Sequence, residues 1–369
     1  MKFSISTSFY RRSHLVENLY QQILNQTHTD WEWIVTDDFS EENNAEALLK
    51  EICANDPRVK YYEQSRKKEI FWNPQKGSTG DIVVVFDSDD YAFPKLLETY
   101  NHFFLKHPDV MGISCLSHTI DERGIFAEIQ GGGTYKCEDF STFNFTPMCR
   151  AFRNIYPEFD DGTLQWYQSD TNIVRHMEIL GKWFYIPRTL CEYYYSPDTI
   201  SRAIRTDEQW ADIERERLFI ENKFPFLHND DKCSSLLYYI PVRDIARDFA
   251  LCEFNKSITR KKILYIKSDI KPYERQLLKE LFFDHDLYFD HNLNMKFDEV
   301  VVSLDTPTCF NLPQVTQVLR ETNKGTHIKF KLDERVNMAR ENVHSMISSL
   351  YGNYGWVVGG YETYFITAI

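Results

Sequence analysis

The segment Asp81-Ile82-Val83-Val84-Val85-Phe86 is apolar on both faces of an extended chain and breaks off into Asp87-Ser88-Asp89-Asp90. A strand with no polar face leaves no side for water, so it belongs at the centre of a sheet covered by helices on both sides. Its surroundings agree. Phe3, Ile5 and Thr7 alternate with Ser4, Ser6 and Ser8 as one strand, and Leu15, Leu19, Ile23 and Leu24 then recur at helical spacing. A strand from Trp31 to Thr36 ends in Asp37-Asp38, and a helix carrying Ala45, Leu48, Leu49 and Ile52 closes before Pro57. Val59 to Tyr62 is a third strand. Pro94 opens a helix through Leu96, Leu97, Tyr100 and Phe104, and Val110 to Leu116 is a further strand. This alternation predicts an α/β fold with a mostly parallel sheet and helices on both faces.

From residue 120 to 165 the chain is rich in Gly, Thr, Phe and Asp, which predicts loops and short strands capping one edge of the sheet. A helix from Asp170 to Leu180, strands Trp183 to Ile186 and Cys191 to Tyr195, and a polar helix from Asp207 to about Asn222 follow. His228-Asn229-Asp230-Asp231-Lys232 concentrates turn formers, so the domains are expected at 1–226 and 233–369. The second alternates again. It has strands at Lys262 to Ile266, Glu299 to Leu304 and His327 to Phe330, with helices at Tyr273 to Phe282, Leu312 to Glu321 and Glu334 to Leu350. One or two strands then lie between Gly355 and Ile369. This is a smaller, Rossmann-like α/β domain. The residues after its first strand, Lys267 to Pro272, lack the glycines that let a backbone approach a pyrophosphate.

The formal charge is -13 and no basic block is present, which disfavours nucleic acid as a partner. Eight cysteines are scattered without zinc or redox spacing, so free thiols in a reducing compartment are expected. The opening residues lack the pattern of a signal peptide, and no run of about 18 apolar residues could form a transmembrane segment. These features predict a cytoplasmic protein, with peripheral attachment to a membrane and assembly into a homo-oligomer both left open.

In open α/β sheets, ligands gather outside the C-terminal ends of the strands. Thr7-Ser8, Asp37-Asp38 and Asp87-Ser88-Asp89-Asp90 fall there. If the chain stays extended through Asp89, period two points Asp87 and Asp89 to the same side, where two carboxylates repel unless a cation sits beside them. A hard ion, Mn2+ or Mg2+, held by so few protein oxygens keeps open positions for phosphates. The plain alternative is a solvated turn with Asp90 near a helix N-terminus, where an acid is favourable anyway.

On these residues the chain resembles the family 2 glycosyltransferases, whose nucleotide-binding fold is called GT-A. The resemblance runs from residue 1 to about 205. It is carried by Ser4 to Glu42, with its strand, helix and Asp37-Asp38-Phe39-Ser40 turn, and by Gly80 to Leu97, with Asp87-Ser88-Asp89 and the following proline and leucines. It implies that Thr7, Ser8 and Phe9 line a nucleotide pocket and that Asp38 or Asp37 hydrogen-bonds the base. Asp87, with Ser88, would lie by ribose and metal, and Asp89 would ligate the metal directly. Asp170, in Gln168-Ser169-Asp170-Thr171, corresponds to the family's catalytic base; helix N-capping is its other reading. Trp166 and Ser169 fall on the acceptor side. Two departures stand out: Ser169 replaces the usual Glu before the base, and Phe71 to Gly77 replaces an Ala-Arg-Asn-x-Gly pattern, leaving Lys76 to face a phosphate. Arg202 has a phosphate or loop-closing role or is a surface arginine.

The resemblance implies metal-dependent transfer of a sugar from a nucleotide-sugar donor, UDP- or GDP-linked, to a hydroxyl of a glycan, lipid or small molecule, with inversion. The alternatives are a catalytically silent nucleotide- or carbohydrate-binding scaffold and a sugar nucleotidyltransferase. Residues 297–328 weakly resemble the late part of a class I methyltransferase-like fold without its methyl-donor motif, which implies a module that positions the acceptor or mediates assembly.

Overall fold

The structure is a computed structural model. It describes residues 1–37, 43–63, 77–121, 123, 126–130, 149–154, 182–194, 242, 245–246, 248–250, 252–267, 270–289, 295–304, 327–332, 354–359 and 363–368. The chain divides into two compact units, residues 1–125 with 129–238, and residues 239–369 with 126–128.

In the first unit, β1 (Phe3–Phe9), α1 (Val16–Leu24), β2 (Trp31–Asp37), α2 (Asn43–Asn55), β3 (Val59–Glu63) and β4 (Ile82–Val85) follow the predicted alternation. After them come β5 (Tyr91–Ala92), α3 (Leu96–Lys106), β6 (Val110–Ile120), β7 (Phe126–Gln130, of which residues 129–130 belong to this unit), β8 (Ala151–Arg153) and β9 (Lys182–Tyr194). The sheet path is β3-β2-β1-β4-β8-β6-β9-β5. Its β3-β2-β1-β4 half is parallel, with Phe3 opposite both Trp31 and Ile82. The other half is mixed, because β8 runs antiparallel to both β4 and β6.

Burial explains the parallel half. Phe3, Ile5, Trp33, Ile34, Val35, Ile82, Val83 and Val84 are all buried, so β1, β2 and β4 have helices to face. α1 turns Val16, Leu19 and Ile23 inward, and α3 buries Leu96, Leu97, Tyr100, Phe103 and Phe104. Leu24, expected on the α1 stripe, is exposed. Polar groups also bind the sheet together. The buried Glu32 carboxylate on β2 accepts from Ser4 Oγ at 2.6 Å, Lys2 Nζ at 2.9 Å, Lys60 Nζ at 3.0 Å and the Thr79 amide at 2.6 Å. Burial alone would raise its pKa; these donors win and hold it well below the usual carboxylate range.

Two expectations need correction. The stretch 120–165 does not only cap an edge: Ala151–Arg153 lies inside the sheet, between β4 and β6. Three residues are too few for a period to register. Trp183 to Ile186 and Cys191 to Tyr195 are not separate strands but parts of one, β9, paired with β6 through register shifts at Leu116. The bulges absorb Pro187, which has no N–H for the ladder.

The second unit has β10 (Lys262–Ile266), α4 (Pro272–Leu281), β11 (Asp286–Tyr288), β12 (Glu299–Leu304), β13 (His327–Leu332), β14 (Tyr354–Gly359) and β15 (Thr363–Ala368). Strands β11-β10-β12-β13 are parallel, and β15, antiparallel, inserts between β13 and β14. Pro272 starts α4, and the Lys271 amide donates to the Glu274 carboxylate at 2.8 Å. Phe249, Tyr265 and Phe282 pack as an aromatic core, with Phe249 4.8 Å from Tyr265 and 4.9 Å from Phe282 between ring centres. The predicted boundary at 228–232 and the helices at 170–180, 207–222, 312–321 and 334–350 lie outside the described residues.

Candidate functional site

The parallel half of the first sheet brings the C-terminal ends of β1, β2 and β4 side by side, because β1 pairs with both of the others. Past Val85 the chain stays on β1 for one more bond, Phe86 N–H to Ser6 O at 2.8 Å. It then turns at Ser88-Asp89, and the Asp90 amide reaches back to Asp87 O at 3.3 Å. The extended conformation therefore does not persist through Asp89, and strand alternation is not what groups the carboxylates. The turn does it.

Asp87 and Asp89 are half-buried, whereas Asp90 is only 3% exposed. Burial, then the charges of Asp87 and Asp89, push the Asp90 carboxyl well above the usual range. Its Oδ1 accepts the Tyr194 amide of β9 at 3.3 Å, and its Oδ2 has no partner among the described residues. Asp90 does not cap a helix, since β5 intervenes and α3 starts at Leu96.

The cation facing this turn is Arg12, three residues beyond the end of β1. Its Nη1 lies 2.6 Å from Asp89 Oδ1 and 3.3 Å from Ser88 Oγ. Arg11 takes a left-handed φ of 50°, and Arg12 precedes the short 3-10 helix Ser13–Leu15, so the chain doubles back after β1. A basic pair soon after one strand and an acidic turn soon after another were the available signal. That the two strands are parallel neighbours was not.

The other predicted positions divide. Thr7 and Phe9 are buried, and the Thr7 hydroxyl accepts from Trp33 Nε1 at 3.0 Å; Ser8 is half-buried. Asp37, at the end of β2, is buried and accepts from the Tyr61 hydroxyl at 3.2 Å. Ser88 is buried beside Arg12. Asp38, Lys76, Trp166, Ser169 and Asp170 lie outside the described residues. Buried Cys115 and Cys191 place their sulfurs 4.0 Å apart. Hydrogen bonding with Cys115 and Cys149, together with burial, pushes the Cys191 thiol far up. Among the described residues no group of three His, Cys, Asp or Glu side chains is placed to enclose a metal ion.

In open α/β sheets ligands bind outside the C-terminal ends of the strands, and the carboxylate turn of this α/β domain lies at that place. Residues 4–164 match the model of glycosyl transferase family 2. The N-terminal region thus has the GT-A-like fold of the family 2 glycosyltransferases.

An uncharacterized glycosyltransferase of Rickettsia bellii is 30% identical over 140 residues, 36% of this chain and 19% of that protein. The uncharacterized glycosyltransferase MJ1057 of Methanocaldococcus jannaschii is 25% identical over 128 residues, 34% of this chain and 44% of that protein. The chain spans less than half the length of each of these relatives. Among solved structures, S. aureus TarS 1-349 in complex with UDP-GlcNAc is 14% identical with a TM-score of 0.47, covering 69% of this chain and 77% of that one. The mannosyltransferase PcManGT from Pyrobaculum calidifontis, in complex with GDP-Man and Mn2+, is 14% identical with a TM-score of 0.40, covering 65% and 75%.

Proposed function

We propose that the first unit transfers a sugar, with inversion, from a UDP- or GDP-sugar to a hydroxyl of a glycan or lipid-linked acceptor. The observation that carries this reading is the turn at the end of β4, where the Asp87, Asp89 and Asp90 carboxylates crowd together at the mouth of a parallel sheet beside Arg12. Such a turn is unfavourable by itself and becomes favourable with added positive charge.

The residues fit Mn2+ or Mg2+. The Asp87 and Asp89 donors are hard carboxylate oxygens, and Asp90 Oδ2 beside them is buried without a partner among the described residues. Asp89, with Asp87, would hold the ion, and diphosphate oxygens and water would complete its shell. When bound, the ion neutralises the charge on the departing diphosphate. In this reading Asp170 takes the acceptor proton, and Thr7, Ser8, Phe9, Asp37, Asp38 and Lys76 surround the nucleotide. Trp166 and Ser169 stand on the acceptor side. The second unit positions the acceptor or mediates assembly; Lys267 to Pro272 offer no glycine turn for a dinucleotide.

Calorimetry with UDP and GDP, with and without Mn2+, and hydrolysis of the matching nucleotide-sugars test the reading. The expected result is metal-assisted binding, slow hydrolysis, and loss of both in folded Asp89→Ala. Metal-dependent activity that survives Asp89→Ala defeats it, and binding without any turnover marks a silent scaffold instead.

A further inference from the structure

The Asp87-Ser88-Asp89-Asp90 turn already has a cation. Arg12 touches Asp89 Oδ1 at 2.6 Å and Ser88 Oγ at 3.3 Å, and it follows the left-handed Arg11, two residues past the end of β1. The position it fills is the one that the proposed donor chemistry gives to a divalent ion. An arginine and a divalent ion on the same Asp89 carboxylate repel each other and share its charge, so each weakens the other's hold there.

The pair is also suited to exchange. The Arg12 side chain is 25% exposed and that of Asp89 19%, so water reaches both, and pairs of this kind hold weakly. A guanidinium carries five N–H donors in a planar fork that fits two phosphate oxygens as well as a carboxylate. A diphosphate bears more charge than one carboxylate and forms the stronger charge-assisted bonds. Arg12 also stands on the segment that follows Thr7, Ser8 and Phe9, so a short swing of its side chain reaches whatever occupies the mouth of the sheet.

Resting on the donor chemistry proposed above, we propose that Arg12 is a two-position cation of this site. Asp89 holds it while the turn is empty, and it transfers to the diphosphate when the donor enters, which leaves the Asp89 oxygen to the divalent ion. Arg12 therefore competes with the metal in the absence of nucleotide and cooperates with it in its presence. No covalent bond changes in this exchange.

The test is calorimetry on the full chain as wild type, Arg12→Gln and Arg12→Lys. The probes are MnCl2 alone, UDP and GDP with Mn2+, and uridine and guanosine as diphosphate-free controls. In Arg12→Gln, Mn2+ alone should bind about two- to fivefold tighter, as expected for loss of an exposed competing pair. Nucleoside diphosphate affinity should fall about 10- to 100-fold, the worth of one charged hydrogen-bond contact. Nucleoside affinity should not change, and Arg12→Lys should restore part of the loss. Unchanged diphosphate affinity in Arg12→Gln overturns the proposal and leaves the transferase reading standing. Equal loss of nucleoside and diphosphate affinity also overturns it, because that marks a structural role. A wild-type chain that binds neither UDP nor GDP defeats the transferase reading itself.

Discussion

Trp33 on β2 donates its indole N–H to the Thr7 hydroxyl on β1 across 3.0 Å, with both side chains buried. The bond ties two parallel strands together two residues before the end of β1. On its other side the Trp33 ring stacks on Tyr20 of α1, with centroids 5.8 Å apart and planes within 11°. A single indole thus joins sheet, helix and the base of the site.

The Thr7 hydroxyl is consequently expected to act as a structural peg, with any contact to nucleotide made through its backbone. Trp33→Phe and Thr7→Val should each cost about 1 kcal/mol in urea unfolding, and the double variant should cost clearly less than their sum. Thr7→Val should leave nucleoside diphosphate affinity within about twofold. Additive losses would show that the bond contributes nothing, and a large loss of affinity would give the hydroxyl back to the nucleotide.

A general base contributes about 10² to 10⁴ in rate. Asp170→Asn should therefore lower kcat by that order while calorimetry finds nucleoside diphosphate and Mn2+ binding unchanged. Asp89→Ala should behave in the opposite way, losing metal-assisted binding first. If Asp170→Asn instead lowers the unfolding midpoint and leaves kcat intact, the residue is a helix cap.

Acid should loosen the end of α2. The Asp56 carboxylate is gripped by Arg58, Nε to Oδ1 at 3.0 Å and Nη2 to Oδ2 at 2.7 Å, and it accepts from Tyr20 at 3.0 Å. The Arg58 hydrogen bonds, opposed by burial, hold its pKa down at about 2. A carboxylate with a depressed folded pKa stabilises fully above its unfolded value, near 3.9, and loses that contribution as pH falls toward the folded one. Because Arg58 is well exposed, the contribution is about 1 kcal/mol. Wild type should exceed Asp56→Asn by that amount at pH 7, and the gap should close between about pH 4 and 2. A constant gap across that window would show that the ion pair is not its source.

Much of the fold could be read without coordinates, and the limits have physical causes. β1, β2, β3 and β4 are long enough, and apolar enough, for their periodicity to show, and Ile82 to Val85 is the central strand that its two-sided apolar pattern demanded. Tyr91–Ala92, Ala151–Arg153 and Asp286–Tyr288 have two or three residues each and exist because a neighbouring strand pairs with them. β9 was read as two strands because Pro187 interrupts the alternation that bulges repair.

At the candidate site, composition alone located the acidic turn after β4 and the polar ends of β1 and β2. It did not show that Asp90 would be the carboxylate driven into the interior, nor that Arg12 would answer Asp89. The kinds of element and the residues at their ends are written locally, in spacing and in side-chain polarity. Burial and ion pairing depend on which distant strands become neighbours, and that is decided only when the whole sheet packs.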